Sequence, residues 1–434
     1  MTRTLDPAPP PAAAPAEPAA ATPRPSARMY RRRRIVVFGT LGVLLAGLVG
    51  GGAYATTTLN APVPAAAPSV VDPAPIVAAP QVVDQPDFGA WAVGAVGFDG
   101  ALAAGNDATA MPIASIAKVV TALVLLEEQP IPAGEGGPDI QYTDADVAIY
   151  WDMIAQNGSV APVAAGATLS LEESLEAMLL PSGNNYANSL AIWGFGSVDA
   201  YVARANAWAA EQGLTTLRIA DPSGLSLANT ATAADLVRLG ELALQDATLA
   251  EIVATQQVDI PELGTLKNSN KLLGTHGVDG IKTGTTDDAA NLLFSTDVAV
   301  GSSSITVVGV VLGGANHPAV RQAIAEMIDT IAPGFHEVVA IEAGTEVATY
   351  STPWGDTAAA RTAEGATVVV WSDTPVDVAV SAEPITLAAD GADVGTAVVT
   401  AGTQRIEVPL VLDGTVDDPG AWWRLTNPGA LDAD

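Results

Sequence analysis

Pro112-Ile113-Ala114-Ser115-Ile116-Ala117-Lys118-Val119-Val120-Thr121-Ala122-Leu123-Val124-Leu125-Leu126 decides how this chain is read. The stretch is apolar nearly all round at helical spacing, which marks a buried helix. Ser115 and Lys118 bring chemistry into its first turn, and residues three apart share a helix face. A lysine inside an apolar helix is costly unless it is paired or neutral. Beside a serine the cost has a use, because an unprotonated Lys118 can take the proton of Ser115. The chain has 14 Arg but only four Lys, at positions 118, 267, 271 and 282. Lysine shifts its pKa readily on burial, whereas arginine cannot act as a base.

Upstream of this helix the chain changes character several times. Residues 1–34 are Pro/Ala-rich, carry seven Arg against Asp6 and Glu17, and read as a disordered cytoplasmic tail. Arg31-Arg32-Arg33-Arg34 precedes Ile35–Ala55, which contains no charge and matches the roughly 20 residues that span a bilayer. The arginines belong on the cytoplasmic side, which puts the body outside the cell membrane. Ala53-Tyr54-Ala55 also fits a signal-peptidase site, so a retained single-pass anchor is the preferred of two readings. Residues 56–87 read as an Ala/Pro linker. The folded body then opens with a hairpin around Phe98-Asp99-Gly100.

Downstream, Pro130 and Pro132 end the Ser115 helix, and residues 133–166 read as irregular. Ser170 with Glu173 forms a capping box for a helix over 171–180, and Thr232 with Asp235 forms another. Between them lie the loop Ser182-Gly183-Asn184-Asn185, a helical stretch to Gln212, and the turn Asp221-Pro222-Ser223-Gly224-Leu225. Two strand-like runs follow Lys282-Thr283-Gly284-Thr285, and a helix from about 319 to 331 closes the unit at Gly334-Phe335. From there only short β-type runs remain, separated by Gly, Pro and Asp. The expected division is therefore a catalytic unit at 88–335 and a small all-β domain at 336–434.

Composition excludes several functions. The net charge is −30, and an acidic body repels nucleic-acid phosphate. The absence of Cys rules out disulfide and thiol chemistry. His276, His317 and His336 are scattered without metal-ligand spacing and read as surface or structural, so neither metal nor cofactor is expected. Trp422-Trp423 reads as a packed edge of the β domain rather than a sugar platform.

Three motifs stand in order: Ser115-x-x-Lys118, Ser182-x-Asn184 and Lys282-Thr283-Gly284. Together they resemble the penicillin-recognising serine acyltransferases. The flanks, with Asp221-x-Ser223-Gly224-Leu225, Asn268-x-Asn270 and Gly280–Thr286, are similar to the low-molecular-mass D-alanyl-D-alanine carboxypeptidases. The resemblance spans about 88–335. It implies an α/β (α+β) fold of the β-lactamase/transpeptidase type, with an antiparallel sheet flanked by helices. It also implies a serine peptidase that trims peptidoglycan stem peptides and binds β-lactams.

A serine needs an adjacent base to act as nucleophile, which gives Ser115 and Lys118 their roles. Ser182 can relay a proton toward the leaving amine, and Asn184 can hold the substrate amide and orient Lys118. The resemblance places Lys282, Thr283, Gly284 and Thr285 on the edge strand facing the substrate carboxylate, with Arg321 nearby. It makes the backbone N–H groups of Ser115 and Thr285 the oxyanion hole. Two departures stand out: Asn185 where many relatives have Asp, and Asp287-Asp288 after the Lys-Thr-Gly-Thr run. Two other functions are compatible with the motifs. A class A β-lactamase needs a deacylating glutamate, which the stretch around 221–225 lacks. A penicillin sensor that acylates without turnover needs a cytoplasmic partner-binding element, for which residues 1–34 are too simple.

Overall fold

The computed structural model describes residues 27–132 and 134–431. The expected tail at 1–34 falls mostly outside them, but its end does not. A single helix runs Ala27–Asn60, so the arginine run is helical rather than disordered, in line with arginine's high helix propensity. It also continues past Ala55, ending where Pro62 bars its predecessor from helical geometry.

The spacer expected over 56–87 is not free-standing. Ser69–Val70 forms an edge strand against Glu346–Ser351. Bridges Ala66↔Ile385 and Ile76↔Val376 bind the rest to the C-terminal β unit. Val63, Ala66 and Val83 are buried. A peptide lying beside an open sheet edge satisfies its own N–H and C=O groups and those of the edge.

The sheet that carries the Lys282–Thr285 run has five antiparallel strands, in the order Val278–Thr285, Ala290–Val300, Ser303–Gly314, Ala90–Ala95, Ala103–Gly105. The last two form the hairpin around Asp99-Gly100, with Trp91 opposite Gly105. Strand alternation divides two cores. Leu293, Val308 and Val310 pack with Leu236 and Leu239 of the helix Ala233–Gln245. Leu292, Phe294 and Val311 pack with Val320, Ile324 and Met327 of the helix His317–Ile331. Gly240 lets the first helix approach the sheet, since a Cβ there would lie 2.5 Å from Val308.

The Ser115 stretch is a 3₁₀ turn, Ala114–Ile116, running into the helix Ala117–Glu128. Every residue from Ala117 to Leu126 is buried. Helices Leu171–Leu179, Asn184–Phe195 and Val198–Glu211 surround it. The Ser170–Glu173 box forms in both directions, at 3.1 and 2.8 Å. Thr232 accepts from Asp235 N, but the Asp235 carboxylate turns away to Thr216 N and Oγ1. Residues 133–166, expected to be irregular, contain the helix Asp144–Ala155, capped by Thr143 and Asp146. None of its residues is buried, so it presents no one-sided apolar stripe from which it could be read.

The C-terminal β unit is a six-stranded antiparallel sheet, which includes the Ser69–Val70 edge, beside the pair Phe335–Ile341 and Ala366–Trp371. Its core includes Val347, Tyr350, Val399, Val408 and Leu410. Trp423 packs edge-on against Trp354 at 5.5 Å, whereas Trp422 is 80% exposed.

Candidate active site

Lys118 is fully buried, and its Nζ has three neighbours. It lies 2.9 Å from Ser115 Oγ, 2.6 Å from Asn184 Oδ1 and 2.6 Å from the Ser223 carbonyl. Burial, then the charge of Lys282, hold the Lys118 ammonium well below the ordinary lysine range; Asp221 opposes them. The Asn184 and Ser223 oxygens can only accept. A neutral amine has two N–H groups and one lone pair, so donating to both leaves the lone pair facing the Ser115 hydroxyl.

Ser115 itself is half-buried. It is held by the turn around Asp221, whose carboxylate gathers six donors. Oδ1 accepts from Ser223 N and Oγ, Gly224 N and Leu225 N, at 2.7 to 3.3 Å. Oδ2 accepts from Ser226 N and Asn229 Nδ2. Burial alone would raise the Asp221 carboxyl, but hydrogen bonds from Ser223, Ser226 and Asn229 outweigh it and hold it below the usual range. Gly224 adopts φ +81°, where a Cβ would collide with the Ala114 carbonyl. The turn therefore presses directly on the residue before Ser115.

Ser182 is 5% exposed, with φ +65°. Its Oγ is buried and has no hydrogen-bond partner among the described residues, an uncommon state for a native hydroxyl. Asn185, the departure from the family pattern, pairs its amide with both N–H and C=O of Ala161 at 3.0 Å. An ionised aspartate there could accept but not donate.

The edge strand brings Lys282–Thr285 alongside the Ser115 turn, and a Cβ on Gly284 would lie 2.7 Å from the Ile113 carbonyl. Lys282 is pushed down to about 7 by burial. Among the described residues its Nζ reaches only the Thr283 carbonyl and hydroxyl, at 3.3 and 3.4 Å. Thr283 Oγ1 is 2.7 Å from Ser269 Oγ. Arg321 sits on the helix His317–Ile331 and has no acidic partner among the described residues.

Sequence reasoning missed two features. The Ser223 carbonyl is Lys118's third partner, and no side-chain pattern reports a carbonyl. His317, read as surface or structural, sits 2.8 Å from Thr285 Oγ1. Arg321, one helical turn further on, shares its face. Burial, then Arg321, then Lys282 lower the His317 pKa. Among the described residues no cluster of His, Asp or Glu has metal-binding spacing.

Residues 97–316 match the family model described as D-alanyl-D-alanine carboxypeptidase. The chain belongs to that family. Over 225 residues it is 33% identical to the D-alanyl-D-alanine carboxypeptidase DacB2 of Mycobacterium tuberculosis, covering 50% of this chain and 72% of that one. Over 196 residues it is 32% identical to a D-alanyl-D-alanine endopeptidase of Pseudomonas aeruginosa. That match covers 43% of this chain and spans only 60% of the length of the endopeptidase. The D-alanyl-D-alanine carboxypeptidase family thus includes relatives of both activities at similar identity. The fold is shared with penicillin binding protein 5 from Haemophilus influenzae, at a TM-score of 0.54 and 19% identity over 79% of this chain and all of that one. It is also shared with the D-alanyl-D-alanine carboxypeptidase DacD from Francisella tularensis, at a TM-score of 0.56 and 19% identity over 79% of this chain and 96% of that one.

Proposed function

We propose that this chain is a penicillin-sensitive D-Ala-D-Ala carboxypeptidase that removes the terminal D-alanine from peptidoglycan stem peptides. The observation that carries this reading is the buried Lys118 amine, 2.9 Å from Ser115 Oγ and hydrogen-bonded to no carboxylate among the described residues. Ser115 Oγ attacks the carbonyl carbon of the penultimate D-alanine, and Lys118 takes its proton. The backbone N–H groups of Ser115 and Thr285 receive the developing oxyanion. The C–N bond then breaks, and the leaving D-alanine amine takes a proton relayed from Lys118 through the unpartnered Ser182 hydroxyl. Water hydrolyses the acyl-enzyme ester and frees Ser115. Asn184 fixes the Lys118 amine and the substrate amide. Lys282, Thr283 and Arg321 take the terminal carboxylate, which is the group a carboxypeptidase must read. A β-lactam offers the same acyl group and carboxylate, so it acylates the same serine.

The test is D-alanine release from diacetyl-L-lysyl-D-alanyl-D-alanine, run beside cleavage of a cross-linked muropeptide dimer. Faster turnover of the peptide supports the carboxypeptidase. Cleavage of the dimer alone would assign an endopeptidase, and acylation without release would assign a sensor.

The same proposal places the enzyme on the outer face of the cell membrane, held by Ile35–Ala55. The arginine run ahead of the uncharged span supports this topology. The helix is unbroken through Ala53-Tyr54-Ala55, and Tyr54 Oη donates to the Leu425 carbonyl at 2.7 Å. Mass spectrometry of the mature protein decides it: a mature N-terminus at Thr56 would mean secretion.

A further inference from the structure

The outer end of the N-terminal helix is not free. The seven-residue helix Gly420–Thr426 lies against it. Besides the bond from Tyr54 to Leu425, the buried Arg424 donates to the Ala61 carbonyl. Arg424 is itself held by Asp418, with Nη2 to Oδ2 at 2.6 Å and Nε to Oδ1 at 3.3 Å. Thr58 is the one buried residue of the long helix, and it falls in this same segment. The two tryptophans of the short helix separate here. Trp423 packs inward on Trp354. Trp422, at 80%, is the most exposed large apolar side chain among the described residues, and Tyr54 and Leu59 of the long helix are also exposed, at 44% and 37%.

We propose that Trp422 is seated in the lipid–water interface and holds the C-terminal β unit on the outer surface of the membrane. This rests on Ile35–Ala55 being a retained membrane span. At 1.5 Å per residue that span is about 30 Å long, so Tyr54 stands at its outer boundary. Leu425 is bonded to Tyr54, and Trp422 is one turn from Leu425, which puts the Trp422 backbone within about 5 Å of the Leu425 backbone along the short helix. Indole is favoured at that level because it offers an apolar body and one N–H to the headgroups. The nearest acid on the short helix's approach, Asp418, is neutralised by Arg424, so the contact is apolar rather than electrostatic. The chain between membrane and catalytic unit cannot let the β unit swing away, because Ala66, Ser69–Val70 and Ile76 are paired into it.

The chain has no Cys, so one introduced thiol reports one position. Full-length Ala421→Cys protein, with Trp422 intact, is labelled with an environment-sensitive NBD probe. It is then reconstituted in phosphatidylcholine vesicles containing nitroxide lipids of different depth. Leu45→Cys serves as the control inside the span. The expected result is blue-shifted emission at Ala421→Cys, quenched more by a headgroup-proximal nitroxide than by a mid-chain one. It should be insensitive to high salt and at least halved by adding Trp422→Gln. Water-like, unquenched emission at Ala421→Cys with normal quenching at Leu45→Cys would overturn the proposal and leave the anchor standing. Loss of quenching at both positions would overturn the anchor, and the proposal with it. Quenching undiminished by Trp422→Gln would overturn the role of Trp422. Shielding of the probe by soluble muropeptides but not by lipid would assign this surface to glycan instead.

Discussion

In the mechanism proposed above, Lys118 and Lys282, two buried amines, must hold opposite protonation states for Ser115 to react with a carboxylate-bearing substrate. Lys118 has to be neutral to accept the serine proton, and Lys282 has to be cationic to hold the carboxylate. The kcat/KM for the D-Ala-D-Ala peptide is therefore expected to rise as Lys118 loses its proton. It should fall again as Lys282 loses its own near 7, giving a bell-shaped profile whose acid limb belongs to Lys118 and whose alkaline limb lies near pH 7. Lys282→Arg keeps the charge and should remove the alkaline limb; a limb that survives it would take Lys282 out of this role. Lys118→Arg keeps charge but not basicity, and should slow acylation by fluorescent penicillin by roughly 10²–10⁴-fold. Ser115→Ala should abolish labelling, and label found on Ser182 would overturn the assignment. The same two pKa depressions also bear on folding. Between about pH 7 and the ordinary lysine value the unfolded chain binds protons that the folded chain does not, so stability rises with pH in that window. His317 belongs at this scale too. Losing its hydrogen bond to Thr285 costs about 1 kcal/mol, or roughly fivefold. His317→Ala should raise KM for the peptide by that factor with kcat little changed, and His317→Gln should recover most of it. A fall in kcat at unchanged KM would contradict a carboxylate-side role.

At the scale of elements, the 3₁₀ turn Ala114–Ile116 supplies Ser115 and the helix Ala117–Glu128 supplies Lys118, but the turn at 221–226 aims them. Asp221 binds that turn through six hydrogen bonds, and the turn presents the Ser223 carbonyl to Lys118. Asp221→Ala would strand several buried N–H groups, each costing about 1–3 kcal/mol. A loss of about 3 kcal/mol or more in urea unfolding is expected, and an unchanged midpoint would show that the turn holds itself. Gly224→Ala is the sharper probe of the site. A methyl at φ +81° would press on the Ala114 carbonyl and move Ser115 relative to Lys118. A misplacement of about 1 Å can cost about 10²-fold in rate, so acylation should fall by that order while the circular-dichroism spectrum stays that of the folded protein.

At the scale of the whole molecule, the motif residues from Ser115 to Arg321 lie within 88–335, and we expect the catalytic unit to fold apart from the β unit. A protein ending after Phe335 should still be labelled by penicillin. The cut exposes Phe335, which packs edge-on against Phe98 and Trp371, so a lower melting temperature is expected. Loss of soluble, labelled protein would show that the two units fold as one. The β unit depends on residues that precede the catalytic unit in sequence, since its edge strand is Ser69–Val70. Replacing 66–76 with a Gly/Ser segment of equal length should destabilise the β unit and leave penicillin labelling intact.

Local pattern alone determined much of this protein. The apolar stretch with Ser115 and Lys118 three residues apart, the uncharged span after four arginines, the Ser170–Glu173 cap and the short strands after Phe335 are each written in a composition, a spacing or a repeat within one segment. They follow from neighbours in the chain. The order of the three motifs named the family because each motif is contiguous. Only the tertiary structure could decide which distant groups meet. It brought the Ser223 carbonyl to Lys118 and His317 to Thr285. It made a strand of a Pro/Ala segment that carries no strand periodicity, and showed a helix at 144–155 that buries none of its residues. In each of these cases the partner is a backbone group, or a side chain dozens to hundreds of residues away. Such pairings are set by the closure of the sheet and the packing of the helices around it, which no periodicity within one segment encodes.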